Sequence, residues 1–445
     1  MARIHPFRGV RYNLERESLR NVVAPPYDII PPVLQEAYHQ RNLHNVIHLE
    51  LGLPQGPDAQ GRDRYQRAAH CIEHWLADGV LIRDEASALY VYEEGFSVSG
   101  VPHIRRSVFA AVGLEPWERN VILPHEHTLP KPKADRLNLL RATSMQISPI
   151  FSFFDDPTGE HEQWLDAVTS RPATAEARFE DQDVAEAATT HRFWVVNDAQ
   201  ECAAAVRRLE QRQLFIADGH HRYETALAYQ RECREQAPTE RHGAYDNVMM
   251  VLVASSDPGM MILPIHRVVT TPHPLDPAAF LAGLERIFDV AWEDADTLTA
   301  RFGSLAAEPV TQGRESPMEC GVLGLREGLA AHVTLKQGVD VERELSRPTT
   351  TPWRSLDVAI LHGLILEPLL QIGEHEIASE AYVHFERDAT TARARLASDA
   401  NLVFLMRPTR VEQVRDVALA HDRMPQKSTF FYPKALTGLV MYPLS

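Results

Sequence analysis

The sequence predicts an α+β protein built from mixed sheets with flanking helices. Three observations predict it. Short apolar runs bounded by turn residues, "LFIA" at 214–217 and "NVMMVLVASSD" from Asn247, read as buried strands. The stretch "ALYVYEEGFSVSGVPHIRRSVFAAVGL" alternates like a hairpin, with strands around 88–96 and 103–114. Amphipathic helices lie among these strands without the regular alternation that a parallel α/β fold requires. At 445 residues the chain is long enough for two or three domains.

The elements follow in order. Val22-Val23-Ala24 is strand-like and meets the turn Pro25-Pro26-Tyr27-Asp28; a helix is predicted after Pro31-Pro32, because proline suits a first helical turn. An amphipathic helix is predicted from about Arg62 to Ala77, ended by Asp78-Gly79. After the hairpin comes "LPHEHTLPKPKADRLNLLRAT", loop first and helix after about Ala134, and then the strand "SPIFSFF". "FWVV" at 193–196, a helix through 199–212 and "LFIA" give strand, helix, strand. Further on, "LDPAAFLAGLERIF" reads as a helix and "CGVLGLREGLAAHVTL" as a hairpin with a Glu-Gly turn. "LDVAILHGLILEPLL" reads as a buried apolar helix, and "NLVFLMRPTRVEQVRDVAL" as a strand, a Pro-Thr cap and a helix. The Pro-rich "VVTTPHPLDP" at 268–277 separates an N-terminal region, 1–268, from a C-terminal α+β domain, 277–445.

Composition narrows the class of function. A formal net charge of -16 argues against nucleic acid or an anionic membrane as partner, since binding phosphate needs clustered Lys and Arg. The start "MARIHPFRGVRYNLE" lacks a charged-then-apolar signal pattern, and no apolar run reaches the roughly 18–20 residues of a membrane span. Cys71, Cys202, Cys233 and Cys320 are scattered with no CxxC pair, which fits free thiols in a reducing cytoplasm.

The chemistry concentrates in four stretches. In Asp218-Gly219-His220-His221-Arg222, an acid, a glycine, two histidines and an arginine crowd the turn between a buried strand and a helix. Such a turn offers free backbone N–H groups and a positive dipole end to an anion. Glycine allows close approach, arginine forks onto phosphate oxygens, and histidine exchanges protons near neutral pH. Asp218 can hold Mg²⁺ or orient a hydroxyl; the plainer reading is a helix cap with its histidines paired to nearby acids. The second stretch runs from His125 to Arg136: Lys131, Lys133 and Arg136 can neutralise a polyphosphate, and Glu126 or Asp135 can carry a cation. His125 and His127 share a side if extended, which would suit a metal pair, and a solvated loop is the competing reading. Third, Tyr27 and Asp28 leave a strand end, in a site or in a plain turn. Fourth, Lys427 and Ser428 lie before an aromatic strand; "KST" resembles the end of a P-loop, but the upstream glycines are missing. G-x-S-x-G, H-E-x-x-H and G-x-G-x-x-G are absent, so triad, zincin and Rossmann readings have no support.

"VAPPYDII", "HEHTLPKPKADRLNLLRAT", "SPIFSFF", "FIADGHHRYETAL" and "MPQKSTFFYPKALTGL", in this order and over nearly the whole chain, resemble the family called domain of unknown function 1015. The "DGHHR" turn in turn resembles the phosphate-binding motif of the ParB/sulfiredoxin superfamily, which includes free-serine kinases with the same letters. Sulfiredoxins carry a cysteine nucleophile where this chain has His220, so sulfinic acid reduction is not implied. ParB proteins are basic DNA clamps, and this chain is acidic. The resemblance therefore implies a ParB/sulfiredoxin-like N-terminal region and an ATP- or ADP-dependent kinase for a small hydroxylated metabolite, serine first among them. A non-catalytic nucleotide-binding regulator and a metal-dependent phosphohydrolase are the alternatives. In the kinase reading Gly219, His220 and Arg222 cradle phosphates, helped by Lys131, Lys133 and Arg136, with Lys427 and Ser428 as further candidates. Asp218 binds Mg²⁺ or helps to activate the acceptor. Glu126 or Asp28 is the base or second metal ligand, and His221 is a proton carrier.

Overall fold

The structure is a computed structural model that describes residues 1–444 except 55, 57, 59, 129, 180–187, 237–241, 306–316 and 346–348. The side chains of Pro130 and Lys131 also lie outside the described residues.

Two sheets organise the molecule, and the fold is α+β with mixed pairing as expected. Among the described residues the larger sheet runs in the order Ile122–Leu123, Leu214–Asp218, Ile150–Phe154, Asn247–Ala254, Val101–Gly113, Leu89–Val98, Thr189–Val196, Ala175–Phe179. Leu214–Asp218 is parallel to Ile122–Leu123 and antiparallel to Ile150–Phe154, while Asn247–Ala254 is parallel to Ile150–Phe154. Both faces of this sheet are covered. Val248, Met250 and Leu252 enter one core with Val91, Ile216 and Tyr223, whereas Met249, Val251 and Val253 enter the other with Tyr92, Phe153 and Phe215. Burial on two sides is why these strands read as continuous apolar runs instead of alternating ones.

The second sheet is antiparallel, in the order Phe288–Asp294, Leu329–Leu335, Glu319–Arg326, Leu402–Met406, His266–Val269, Val383–Glu386. The larger sheet takes its last strand from Asn247–Ala254, and the second sheet takes its first from His266–Val269. The last residues leave this sheet again. Phe430–Tyr432 pairs with Met261–Leu263, Thr437 bridges Ala24, and Tyr442–Pro443 pairs with Met145–Gln146. The C-terminal segment therefore returns to the first half of the molecule, across the expected 277–445 range. A chain-order reading of composition has no signal for a segment that comes back.

Local rules account for most element boundaries. Asp63 accepts from the N–H groups of Tyr65 and Gln66, and Gln66 reaches back, so helix Arg64–Ala77 opens with a capping box. Three boundaries differ from expectation. Val22 ends a short helix, Leu19–Val22, and Ala24 makes only one bridge. The helix expected after Ala134 starts at Pro130, because proline with no N–H to satisfy fits a first turn. The apolar helix after Asp357 widens to a π turn over His362–Leu366.

Candidate functional site

The Asp218–Arg222 turn is built by a bulge. Pairing skips from Ile216 opposite Ser152 to Asp218 opposite Phe151, so Ala217 is the extra residue and the end of the strand is re-aimed. Gly219 follows with φ +94, and a Cβ there would lie 3.0 Å from Arg222 Nε. The backbone conformation and the folded-back arginine both require glycine. Helix His220–Gln236 then begins, one residue earlier than its polar pattern indicates.

Asp218 carries two cations. Lys434 Nζ donates to Oδ1, and Arg222 Nη2 donates to Oδ2 at 2.5 Å. Burial alone would raise the Asp218 pKa, but Lys434 and Arg222 outweigh it and hold the carboxyl well below its usual range. Arg222 also donates to the Pro149 carbonyl and is 10 % exposed, so it braces the turn from inside.

The histidines of the turn separate. His220 is buried; its Nε2 accepts from the backbone N–H of His125 at 3.2 Å, and its Nδ1 lies 3.8 Å from Glu126 Oε2. Burial pushes the His220 pKa well down, so the ring is neutral with its proton on Nδ1, facing Glu126. His125 is buried too: Nδ1 donates to the Ile216 carbonyl at 2.8 Å and Nε2 accepts from the Thr429 hydroxyl at 3.1 Å. Its pKa falls to about 4, chiefly through burial. His221 is half-buried, with its pKa lowered by burial.

Glu126 stands where these parts meet. Its side chain is about a third exposed, and its pKa rises to about 7. Loss of water is the largest cause; Lys434 and Lys427 pull the value down, while Asp218 and Asp28 push it up. A carboxylate that titrates near neutrality beside cations is equipped to take a proton. Asp28 is exposed in the turn Tyr27–Ile29 and makes no hydrogen bond among the described residues. Lys427, exposed and in a left-handed conformation at φ +56, is set by Arg267, whose Nη2 donates to its carbonyl at 2.9 Å.

Several expected phosphate ligands are turned elsewhere. Arg136 is a correction: it is buried, pairs with Glu50 and Asp135, and lies 4.1 Å over the Tyr27 ring, so its charge is satisfied inside the fold. Ser428 is buried as well, donating to the Pro425 carbonyl at 2.5 Å. Lys133 is held by Glu224 at 2.8 Å, and Glu224 also accepts from Thr128. His220 is buried, with Nε2 accepting from the backbone and Nδ1 3.8 Å from Glu126, beyond hydrogen-bond distance. The side chain of Lys131 lies outside the described residues. His125 and His127 do not form a metal pair, one being buried and the other exposed.

For a divalent cation, the expected pair was Asp218 and Glu126. Asp218 already neutralises two cations, so an ion there would be repelled by Lys434 and Arg222. Among the described residues no group of three or more His, Cys, Asp or Glu could enclose a metal. Asp28, exposed and without a hydrogen bond among the described residues, leaves its carboxylate open to solvent.

Sequence reasoning missed Lys434, Thr429, Arg423 and Arg387. The first two lie in or beside the "FFYPKAL" block, but nothing local shows that this segment crosses to Asp218 and His125. Arg423 acts on both His125 and His220.

A family model described as protein of unknown function (DUF1015) matches residues 4–359. No curated protein matches the chain. Among solved structures it is similar to a free serine kinase in complex with ADP, at 10 % identity and TM-score 0.33 over 73 % of this chain and 86 % of that one. It is also similar to a conserved hypothetical protein from Pyrococcus furiosus, at 9 % identity and TM-score 0.31 over 73 % and 89 %. A third is SbnI from Staphylococcus aureus with a C-terminal truncation, at 12 % identity and TM-score 0.32 over 73 % and 84 %.

Proposed function

The chain belongs to the DUF1015 family, and we propose that it is a nucleotide-dependent phosphotransferase acting on a small hydroxylated metabolite, with a hydroxy amino acid such as serine as first candidate. The observation that carries this reading is Glu126: a carboxylate about a third exposed, next to the buried His220 and within the field of Lys434 and Lys427, whose pKa is raised to about 7. The "DGHHR" letters shared with free-serine kinases point the same way.

Phosphoryl transfer asks a protein for positioning and charge neutralisation, with one group to receive a proton. Glu126 takes the proton of the acceptor hydroxyl as its oxygen bonds to the terminal phosphorus. The bond from that phosphorus to the leaving diphosphate or monophosphate breaks, and the nucleotide keeps the electron pair. His220 Nδ1 lies 3.8 Å from the Glu126 carboxylate and, neutral and buried, puts no opposing charge beside it. Lys427 and Lys434 neutralise charge on the moving group. Asp218 acts through Lys434 by fixing its ammonium, which makes it a positioning residue. Mg²⁺, if carried by the nucleotide, would be held by Asp28 and would shield the phosphates.

The test is to incubate the protein with Mg²⁺, ATP or ADP and pooled hydroxy amino acids and to follow phosphorylated product by ³¹P NMR. Product that disappears in E126Q supports the reading. Nucleotide-dependent thermal stabilisation without product would favour a regulator, and phosphate release without an acceptor a phosphohydrolase. Product formation at the wild-type rate by E126Q removes the proposed base.

A further inference from the structure

A cavity of about 430 Å³ is lined in part by Asp28 and Lys434, two of the residues whose charges act on Glu126. Its walls come from distant parts of the chain: the turn 25–34, the strand Thr189–Val196, Arg387 and the segment 430–436. Its charged lining residues are Asp28, whose carboxylate acts on Glu126, Arg387, and Lys434, which is bonded to Asp218. Lys434 Nζ and the Arg387 guanidinium both lie over the Phe430 ring, at 4.9 and 4.5 Å. Ile29, Ile30, Leu34 and Leu436 give the cavity apolar lining. A volume in the range of about 300–1,000 Å³ suits a ligand far larger than a three-carbon acceptor.

Thr189 and His191 of the lining belong to an oriented chain of hydrogen bonds. Arg105 pairs with Glu94 where both are 1 % exposed, so Glu94 is an acceptor. Tyr92 has one proton and donates it to Glu94 at 2.9 Å, so its oxygen accepts from His191 Nδ1 at 2.6 Å. His191, kept neutral by burial, then has only a lone pair on Nε2, and the Thr189 hydroxyl at 2.9 Å must donate to it. Thr189 lines the cavity with its proton already directed inward. It therefore offers the cavity an acceptor and no donor.

We infer that this cavity is the nucleoside subsite of the transferase reading, holding a base against Ile30 and Leu34 and selecting one that presents an amino group to Thr189. The inference rests on that reading for the phosphates, which run from the cavity to Lys434 and Lys427; Asp28, in the lining, is placed for ribose hydroxyls or the metal. A base with a carbonyl in place of the amino group sets two acceptors against each other and leaves both unpaired, and buried polar groups left this way are what make such sites selective.

Calorimetry with ADP, IDP and inorganic tripolyphosphate tests this in wild type, L34W and T189V. The expected result is ADP at least tenfold tighter than IDP, with the gap narrowed in T189V. L34W should weaken ADP at least tenfold and leave tripolyphosphate unchanged; I30W serves if L34W melts early. Equal binding of ADP and IDP by the wild type overturns the inference, as does undiminished ADP binding in L34W. If tripolyphosphate still binds in those cases, only the subsite is lost and the phosphate site stands. If neither ADP nor tripolyphosphate binds the wild type, the transferase reading and the subsite fall together.

Discussion

Glu126 makes the sharpest prediction because its raised pKa ties stability to activity with opposite signs. Moving a carboxyl from 4.5 to about 7 means that the folded state holds its proton more tightly than the unfolded chain does. Between those pH values the native state binds more protons, so stability falls as pH rises from about 4.5 to 7, and the full cost is present above 7. Two and a half pKa units correspond to about 3 kcal/mol. Solvent at the side chain, which is about a third exposed, reduces this to about 1–2 kcal/mol. Glutamine keeps the shape and never ionises. E126Q should therefore be more stable than wild type by about 1–2 kcal/mol at pH 8 and equal to it at pH 4.5. In a chain of 445 residues unfolding as one unit this is a rise of about 1–2 °C in Tm. Phosphotransfer should fall by about 10²–10⁴-fold, the usual worth of a general base. Urea unfolding of both proteins at the two pH values, beside the product assay, measures both quantities. A stability difference that does not change with pH would show that Glu126 is an ordinary surface carboxylate and would refute the argument.

The neighbours of Glu126 should move its titration in opposite directions. K434M removes the leading cation and should shift the acid limb of the rate profile up by about 0.5–1 pH unit, while D28N removes a repelling carboxylate and should shift it down by a similar amount. A ¹³C titration of glutamate carboxyls reads the same shifts without activity. R136M should cost about 3–5 kcal/mol in urea unfolding, because it leaves Glu50 buried without its partner and Tyr27 without its stacked cation; a loss of nucleotide affinity with unchanged stability would return Arg136 to the phosphate site. R222A should also lose stability, since the arginine braces Asp218 and Pro149, against the expectation of an exposed anion grip. R267M should be neutral or stabilising in the same assay and should weaken tripolyphosphate binding several-fold: burial pushes Arg267 down to about 9, it has no carboxylate partner among the described residues, and its bond to the Lys427 carbonyl is what it supplies to the site.

Much of the fold was legible because burial writes itself into pattern. The hairpin Leu89–Val98 to Val101–Gly113 and the strand–turn–helix at Leu214–Gln236 are set by neighbours in sequence, and their apolar runs and turn residues show it. The site was legible in part for the same reason. Asp218, Gly219, Glu126 and Asp28 sit at ends of elements, where polar residues interrupt apolar ones. What the letters do not show is which charges are already paired. Arg136 and Lys133 look like free cations in a string of letters, and each meets an acid that only the fold brings near, Glu50 and Glu224, while Arg222 meets Asp218 one helical turn away. Lys434 is not marked in the letters at all, because its partner lies 216 residues away.

That distance bears on what the second sheet does for the first. The "DGHHR" turn does not complete itself: its acid is neutralised by Lys434, its buried histidine is reached through His125, and His125 is held by Thr429 and by the N–H of Met424. All three partners come from the segment after residue 420. That segment is anchored at one side by Arg105, which donates to the Tyr432 and Pro433 carbonyls from inside the large sheet. At the other side Arg267, on the strand His266–Val269 of the small sheet, holds the carbonyl of Lys427. A small relative rotation of the two sheets would change the spacing between Lys427 and Lys434, and with it the field at Glu126. The second sheet is therefore placed to set the charge geometry of the first.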